Sequence, residues 1–195
     1  MTREDLIKFE DFIGKLYEEG KIKSPIHLAG CKYGKQEKFL LNLYKKIDKK
    51  KDWIFCTWRS HYHWLLFDKN PQELLQQILD GHSMHIFGER FFTSAIVGGI
   101  APIAVGVALA KKMKGEGGHI WCFLGDMAYT SGIALESVRY ASGFNLPITF
   151  IVEDNGLSVE TSTKEVWGKK REKNVIIYTY KRKFPHAGIG KYVMF

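Results

Sequence analysis

Residues 119–155, HIWCFLGDMAYTSGIALESVRYASGFNLPITFIVEDN, set the architecture of this protein. His119 to Leu124 is a near-continuous apolar run, of the kind carried by a strand buried on both faces, and it ends in Gly125-Asp126. A helical segment follows from about Thr130 to Phe144, Leu146-Pro147 breaks it, and Ile148 to Val152 forms a second apolar run leading into Glu153-Asp154-Asn155. Strand, helix and strand in this order make a βαβ unit. Its right-handed crossover lays the two strands parallel, with both C-terminal ends on one edge of the sheet. The reading predicts an α/β fold, a mostly parallel sheet with helices on both faces. It also brings Asp126 and Asn155 to the edge where open α/β sheets bind ligands.

The chemistry of that pair is hard and oxygen-based. Asp126 offers a carboxylate and Asn155 a neutral carbonyl oxygen, a set that suits magnesium and not zinc. Two side-chain oxygens leave an octahedral shell mostly unfilled. Magnesium completes such a shell with waters and substrate phosphate oxygens, so a phosphorylated ligand is implied. Gly-Asp and Asp-Asn-Gly are also ordinary turn residues at the ends of buried strands, and taken alone the two motifs fit either reading.

The rest of the chain supplies elements to cover the sheet. Thr2 with Asp5 resembles a capping box, and Leu6, Phe9, Phe12, Ile13, Leu16 and Tyr17 then repeat at helical spacing until Gly20. A second helix fits Gln36 to Ile47, and a third starts with Asn70 as cap and Pro71 in its first position. Asp52 to Thr57 reads as a strand and runs into the polar and aromatic Trp58-Arg59-Ser60-His61-Tyr62-His63. Asn174 to Tyr180 is one more strand candidate. Small residues recur every fourth position at Gly98, Pro102, Gly106 and Ala110, a stripe that predicts close contact with another helix at a subunit interface. The chain shows no internal repeats, and its 195 residues fit a single domain, 1–195, with a helical segment of about 50 residues packed on it.

Composition narrows the function classes. With 45% hydrophobic, 14% aromatic and 26% charged residues, the chain can bury a full core and is neither disordered nor a disulfide-stapled miniprotein. The balance of 29 Lys and Arg against 21 Asp and Glu gives a net charge of +8. The basic residues fall in scattered clusters (Lys45 to Lys51, Lys111 to Lys114, Lys169 to Lys173, Lys181 to Lys183) without zinc-finger spacing or an RNP-type aromatic motif, so no nucleic-acid partner is expected. Cysteines 31, 56 and 122 are odd in number and read as buried thiols in a reducing, cytoplasmic setting. No secretory signal is visible. Phe91 to Ala110 is uncharged and long enough for a bilayer, but Thr93, Ser94 and the small-residue stripe inside it point to a soluble core, and no membrane partner is expected.

The 29 positions from Asp126 to Asn155, with helix and strand correctly ordered between, resemble the thiamine diphosphate fold, whose signature is Gly-Asp-Gly, a helix, a strand and Asn. Other blocks place the likeness with the alpha subunits of thiamine diphosphate-dependent 2-oxo acid dehydrogenases. His27-Leu28 and Gly34-Lys35-Gln36-Glu37 resemble that family's His-Leu and Gly-Gln-Glu segment, with an insertion between the halves. Thr57-Trp58-Arg59-Ser60-His61 resembles its Tyr-Arg-x-His-Gly motif, with Trp for Tyr and Tyr62 for Gly. Ser83-Met84-His85, the helix from Ile96-Val97-Gly98 to Ala110, and Thr161-Ser162 complete a collinear series.

The resemblance implies that Asp126, Asn155 and the carbonyl of Leu157 hold magnesium, and that Arg59 binds the cofactor diphosphate, a role guanidinium geometry suits. It implies that Trp58, Ala95, Val97, Met127 and Ala128 line thiamine diphosphate, that Val159 props its bent shape, and that His61 and His27 stand near the reacting substrate as catalytic residues. A surface ion pair for Arg59 and structural hydrogen bonds for the two histidines are the plain alternatives; His63, His82 and His186 carry no assignment. Met127 replaces the last Gly of Gly-Asp-Gly and puts a side chain where backbone approaches the diphosphate. The implied function is an oxidoreductase-type subunit that decarboxylates a 2-oxo acid, or acts on a ketose, and passes the product to an acceptor. No residue is visible for the carboxylate that activates the cofactor. That group is implied to come from a beta-type subunit in an α2β2 assembly, and the chain reads as a short relative or a fragment. A non-catalytic scaffold relative and a transketolase-like half-enzyme are the competing readings.

Overall fold

The computed structural model describes residues 1–168 and 176–193. Its centre is a six-stranded sheet. The strands are β1 (Trp53–Thr57), β2 (Phe87–Gly88), β3 (Phe91–Ser94), β4 (Ile120–Gly125), β5 (Ile148–Asp154) and, after the short pair β6 (Leu157–Ser158) and β7 (Thr161–Ser162), β8 (Ile176–Thr179). Their order is β2-β3-β1-β4-β5-β8. Every pairing in that sheet is parallel except β2 with β3. The strand expected over Asn174 to Tyr180 is β8; its first two residues lie outside the described residues, as does the basic cluster Lys169 to Lys173.

Alternation along the strands divides the core between the two faces. Ile54, Cys56, Phe123 and Ile151 turn to one side, where helices α1 (Arg3–Glu18), α2 (Lys35–Leu43), α3 (His61–Leu66) and α4 (Pro71–Leu79) pack. Phe55, Cys122, Leu124, Phe150 and Val152 turn to the other, against α5 (Ile100–Lys114) and α7 (Gly132–Gly143). A four-residue α6 (Asp126–Tyr129) leads from β4 into α7, and α8 (Thr163–Trp167) follows β7.

The capping box at Thr2 is present with both of its hydrogen bonds, and Asn70 caps α4 by accepting from Gln72 N. Two readings change, and a third gains detail. The second helix stops at Leu43, and Tyr44–Lys46 tightens into a 3-10 turn. The segment after Trp58 forms α3, a helix buried on all sides whose sequence shows no amphipathic period for that reason. The small-residue stripe on α5 turns mostly outward: Ala101, Ala104, Val105 and Ala108 are buried, whereas Gly106 and Ala110 are exposed. Of its two glycines, Gly98 makes a close approach to Ser131 and Ile133 at the start of α7, whereas Gly106 meets nothing within 4 Å among the described residues. Among the described residues, no helix is long and apolar enough to cross a membrane.

Candidate active site

The βαβ unit does at the sheet edge what parallel strands require. Asp126 opens α6 at the C-terminal end of β4, and Asn155 leaves the C-terminal end of β5 one strand away. Asp126 Oδ1 accepts from the N–H of Met127 (2.9 Å) and Oδ2 from that of Gly156 (3.0 Å). Asn155 Oδ1 accepts from Leu157 N–H (2.9 Å). Burial raises the Asp126 carboxyl to about 6, with the neighbouring Asp154 adding to the rise and the two backbone N–H groups opposing it. Two acidic groups crowd here around oxygen ligands, an arrangement that a divalent cation would relieve.

Above this edge lies a cavity of about 560 Å³. Eleven of the twelve residues singled out from the sequence line it: His27, Trp58, Arg59, Ala95, Val97, Asp126, Met127, Ala128, Asn155, Leu157 and Val159. They come from five parts of the chain. His61 is the exception; it is fully buried in α3, its Nδ1 faces Glu10, and it is not part of the cavity wall.

The walls carry positive charge. Arg59 is 8% exposed and donates to the carbonyls of Leu28 and His186, so it is a held, partly desolvated cation and not a surface ion pair. Arg182 also lines the cavity; its Nη2 donates to the carbonyl of Val159 (2.7 Å) and to Glu160 (3.2 Å), and its Nε is buried without a partner among the described residues. Between them His27 stands edge-on to Trp58 and His186. Burial first, then the charges of Arg59 and neighbouring groups, push the His27 imidazole down to about 3, and its Nδ1 has no partner among the described residues. The two guanidinium groups offer donors to an anion, and the Asp126 and Glu153 carboxylates line the same cavity.

Met127 is part of the cavity wall. Its sulfur is drawn aside, 3.8 Å from Thr130 Oγ1 and 3.0 Å from Trp167 Nε1. Val159 takes a left-handed backbone (φ +54°), rare for a β-branched residue, and the bond from Arg182 to its carbonyl holds it there.

Lining residues not assigned to the site from the sequence include Glu153, Tyr180, Arg182 and His186. Glu153 had a signal, a charge that extends a buried strand by one position. Burial would raise its carboxyl, but His63, the Tyr178 hydroxyl and Arg59 bring it below the usual value. His63 Nε2 lies 3.3 Å from both Glu153 oxygens and its Nδ1 2.9 Å from the Tyr44 hydroxyl. Arg182 and His186 carry no local signal, because only folding returns residues 180–188 to the Ile26–Gly30 segment.

A family model described as "Dehydrogenase E1 component" matches residues 1–174. The pyruvate dehydrogenase E1 component subunit alpha of Rickettsia prowazekii is 34% identical over 169 residues, covering 80% of this chain and 50% of its own. The subunit of the same name from Zymomonas mobilis is 29% identical over 167 residues, covering 80% and 46%. The mitochondrial one of Dictyostelium discoideum is 30% identical over 167 residues, covering 80% and 43%. The chain thus spans about half the length of the curated relatives it matches. A solved structure from Mycobacterium smegmatis, described as a thiamin diphosphate-dependent enzyme, overlays 62% of this chain and 20% of its own at 19% identity and TM-score 0.45, too loosely to carry an argument.

Proposed function

The chain belongs to the dehydrogenase E1 component family, and on that premise we propose that it is an alpha-type subunit of a thiamine diphosphate- and magnesium-dependent enzyme acting on a 2-oxo acid. The observation that carries the reading is the convergence of eleven residues, named together from the family resemblance, on one cavity at the C-terminal edge of the sheet. The relatives' names supply the substrate class, a 2-oxo acid such as pyruvate.

The residues present fit the cofactor. Among the described residues, no three or more His, Cys, Asp or Glu side chains are grouped to hold a metal unaided. Asp126, Asn155 and the Leu157 carbonyl would therefore share magnesium with ligand phosphate oxygens and water. Arg59 would meet the diphosphate as a bidentate donor. Trp58, Ala95, Val97 and Ala128 would give its rings an apolar wall, and Val159 would support their bent arrangement. When bound, thiamine diphosphate supplies a nucleophilic carbon that takes up the 2-oxo acid and lets carbon dioxide leave.

The chain's own residues orient and polarise around that event. His27 stays neutral through the physiological range, so its unpartnered Nδ1 can donate or accept a single hydrogen bond without adding charge beside Arg59. The apolar wall keeps water from the reacting end. The carboxylate that activates the cofactor is assigned to a beta-type partner in an α2β2 assembly. Work in the cytoplasm is consistent with three free, buried cysteines.

The test is the native mass and bound-cofactor content of the complex recovered with this chain from its own host, in magnesium and thiamine diphosphate. A hetero-oligomer that carries the cofactor supports the assignment. A cofactor-free monomer or homo-oligomer overturns it.

A further inference from the structure

The apolar spacing of α1 is that of a packing helix, yet its buried face holds a carboxylate. Glu10 is 1% exposed, in line with Leu6, Ile13 and Gly14. Burying a carboxylate costs several kcal/mol unless donors satisfy it. Glu10 has two, and both are distant in sequence. Its Oε1 accepts from the backbone N–H of Ala29 (3.1 Å), and its two oxygens lie 3.1 and 3.2 Å from His61 Nδ1.

One side chain thereby ties α1 to both segments that bear the candidate histidines. Ala29 is two residues after His27, and the carbonyl of Leu28 between them accepts from Arg59. The His27 segment is gripped by a carboxylate through its N–H and by a guanidinium through its carbonyl.

The consequence for His61 is its tautomer. A carboxylate can only accept, so the ring hydrogen belongs on Nδ1, and Nε2 of the neutral ring is left as an acceptor. That nitrogen is buried and has no partner among the described residues; the other imidazole nitrogen left so is Nδ1 of His27. Leaving a buried polar atom unpaired is unfavourable.

We propose that Glu10 is a positioning residue behind the candidate site: it fixes His61 in the Nδ1–H tautomer and holds in place the His27–Ala29 segment, whose His27 lines the cavity. The inference rests on the assignment of His27 to the active site. It turns the N-terminal helix from a cover into a working part.

The experiment is long-range proton–nitrogen NMR of the histidine rings in the full, ligand-free chain, with His61 assigned by its loss in His61→Gln. The wild type is expected to show the Nδ1–H tautomer for neutral His61. In Glu10→Gln, whose amide can face the ring with oxygen or nitrogen, the ratio of Nε2–H to Nδ1–H is expected to rise at least about tenfold, with cooperative unfolding retained. An unchanged ratio in the variant overturns the proposal. So does a wild-type ring in the Nε2–H form or in comparable amounts of both, which decides the matter even where the variant does not fold. The measurement needs no cofactor, so a failure to bind thiamine diphosphate would fail the functional reading and leave this result standing.

Discussion

Asp126 and His27 show how one cavity displaces two groups in opposite directions. Asp126→Asn keeps shape but removes the only charged oxygen ligand assigned to magnesium. The expected result is a loss of magnesium-dependent thiamine diphosphate retention of more than the roughly 10- to 100-fold typical when a group merely supporting a ligand is lost, measured by calorimetry with and without magnesium. Retention equal to wild type would remove the metal assignment. For His27 the folded value, about 3, lies below its ordinary 6.5. The unfolded chain therefore takes up a proton that the folded chain refuses. The stability contributed is whole above pH 6.5 and is lost as pH falls toward 3, at on the order of 1 kcal/mol per pH unit. Asp126 works the other way, since its folded value of about 6 exceeds its ordinary 3.8 and the folded state takes up that proton first. The two slopes partly cancel in the wild type. Urea unfolding of His27→Gln against wild type between pH 7 and pH 4 isolates the first: the variant should lose less stability on acidification, and parallel curves would contradict the assigned environment.

At the scale of elements, the joints between helices are where substitutions bite. Gly98 has φ +75°, and a Cβ there would stand 2.2 Å from Ser131 Oγ and 2.8 Å from Ile133 Cγ2. Gly98→Ala is expected to destabilise the chain by about 2–4 kcal/mol, through strain and overpacking together. Gly106→Ala, on the same stripe but facing open space, should change stability by no more than about 1 kcal/mol, and in the stabilising direction. Thermal unfolding of the pair separates a stripe that packs inside the chain from one that only Gly98 uses. Thr2→Ala removes a capping box at an exposed terminus and should cost about 1 kcal/mol. The element order was readable where local chemistry is strong: caps at Thr2 and Asn70, apolar runs at β4 and β5. It was not readable at α3, because a helix buried all round has no polar face to mark its period.

For the whole molecule, the +8 charge and the anion-shaped cavity make separable statements. Magnesium with thiamine diphosphate at about 100 times its dissociation constant should stabilise the chain by about 2.7 kcal/mol, seen as a rise in unfolding midpoint that shrinks as salt is added. A midpoint indifferent to the cofactor would speak against the site. The sequence by itself determined the βαβ unit and the pairing of Asp126 with Asn155 at one edge, which follow from short-range patterns and from the single hand that a parallel crossover allows; most of the cavity wall was legible only through the family resemblance. Only the tertiary structure decided that Arg182 and His186 complete the wall, that Glu153 lies within it beside His63 and that Glu10 holds His61. Those contacts join residues far apart in the chain, and no local pattern of side chains announces which buried carboxylate will meet which buried imidazole.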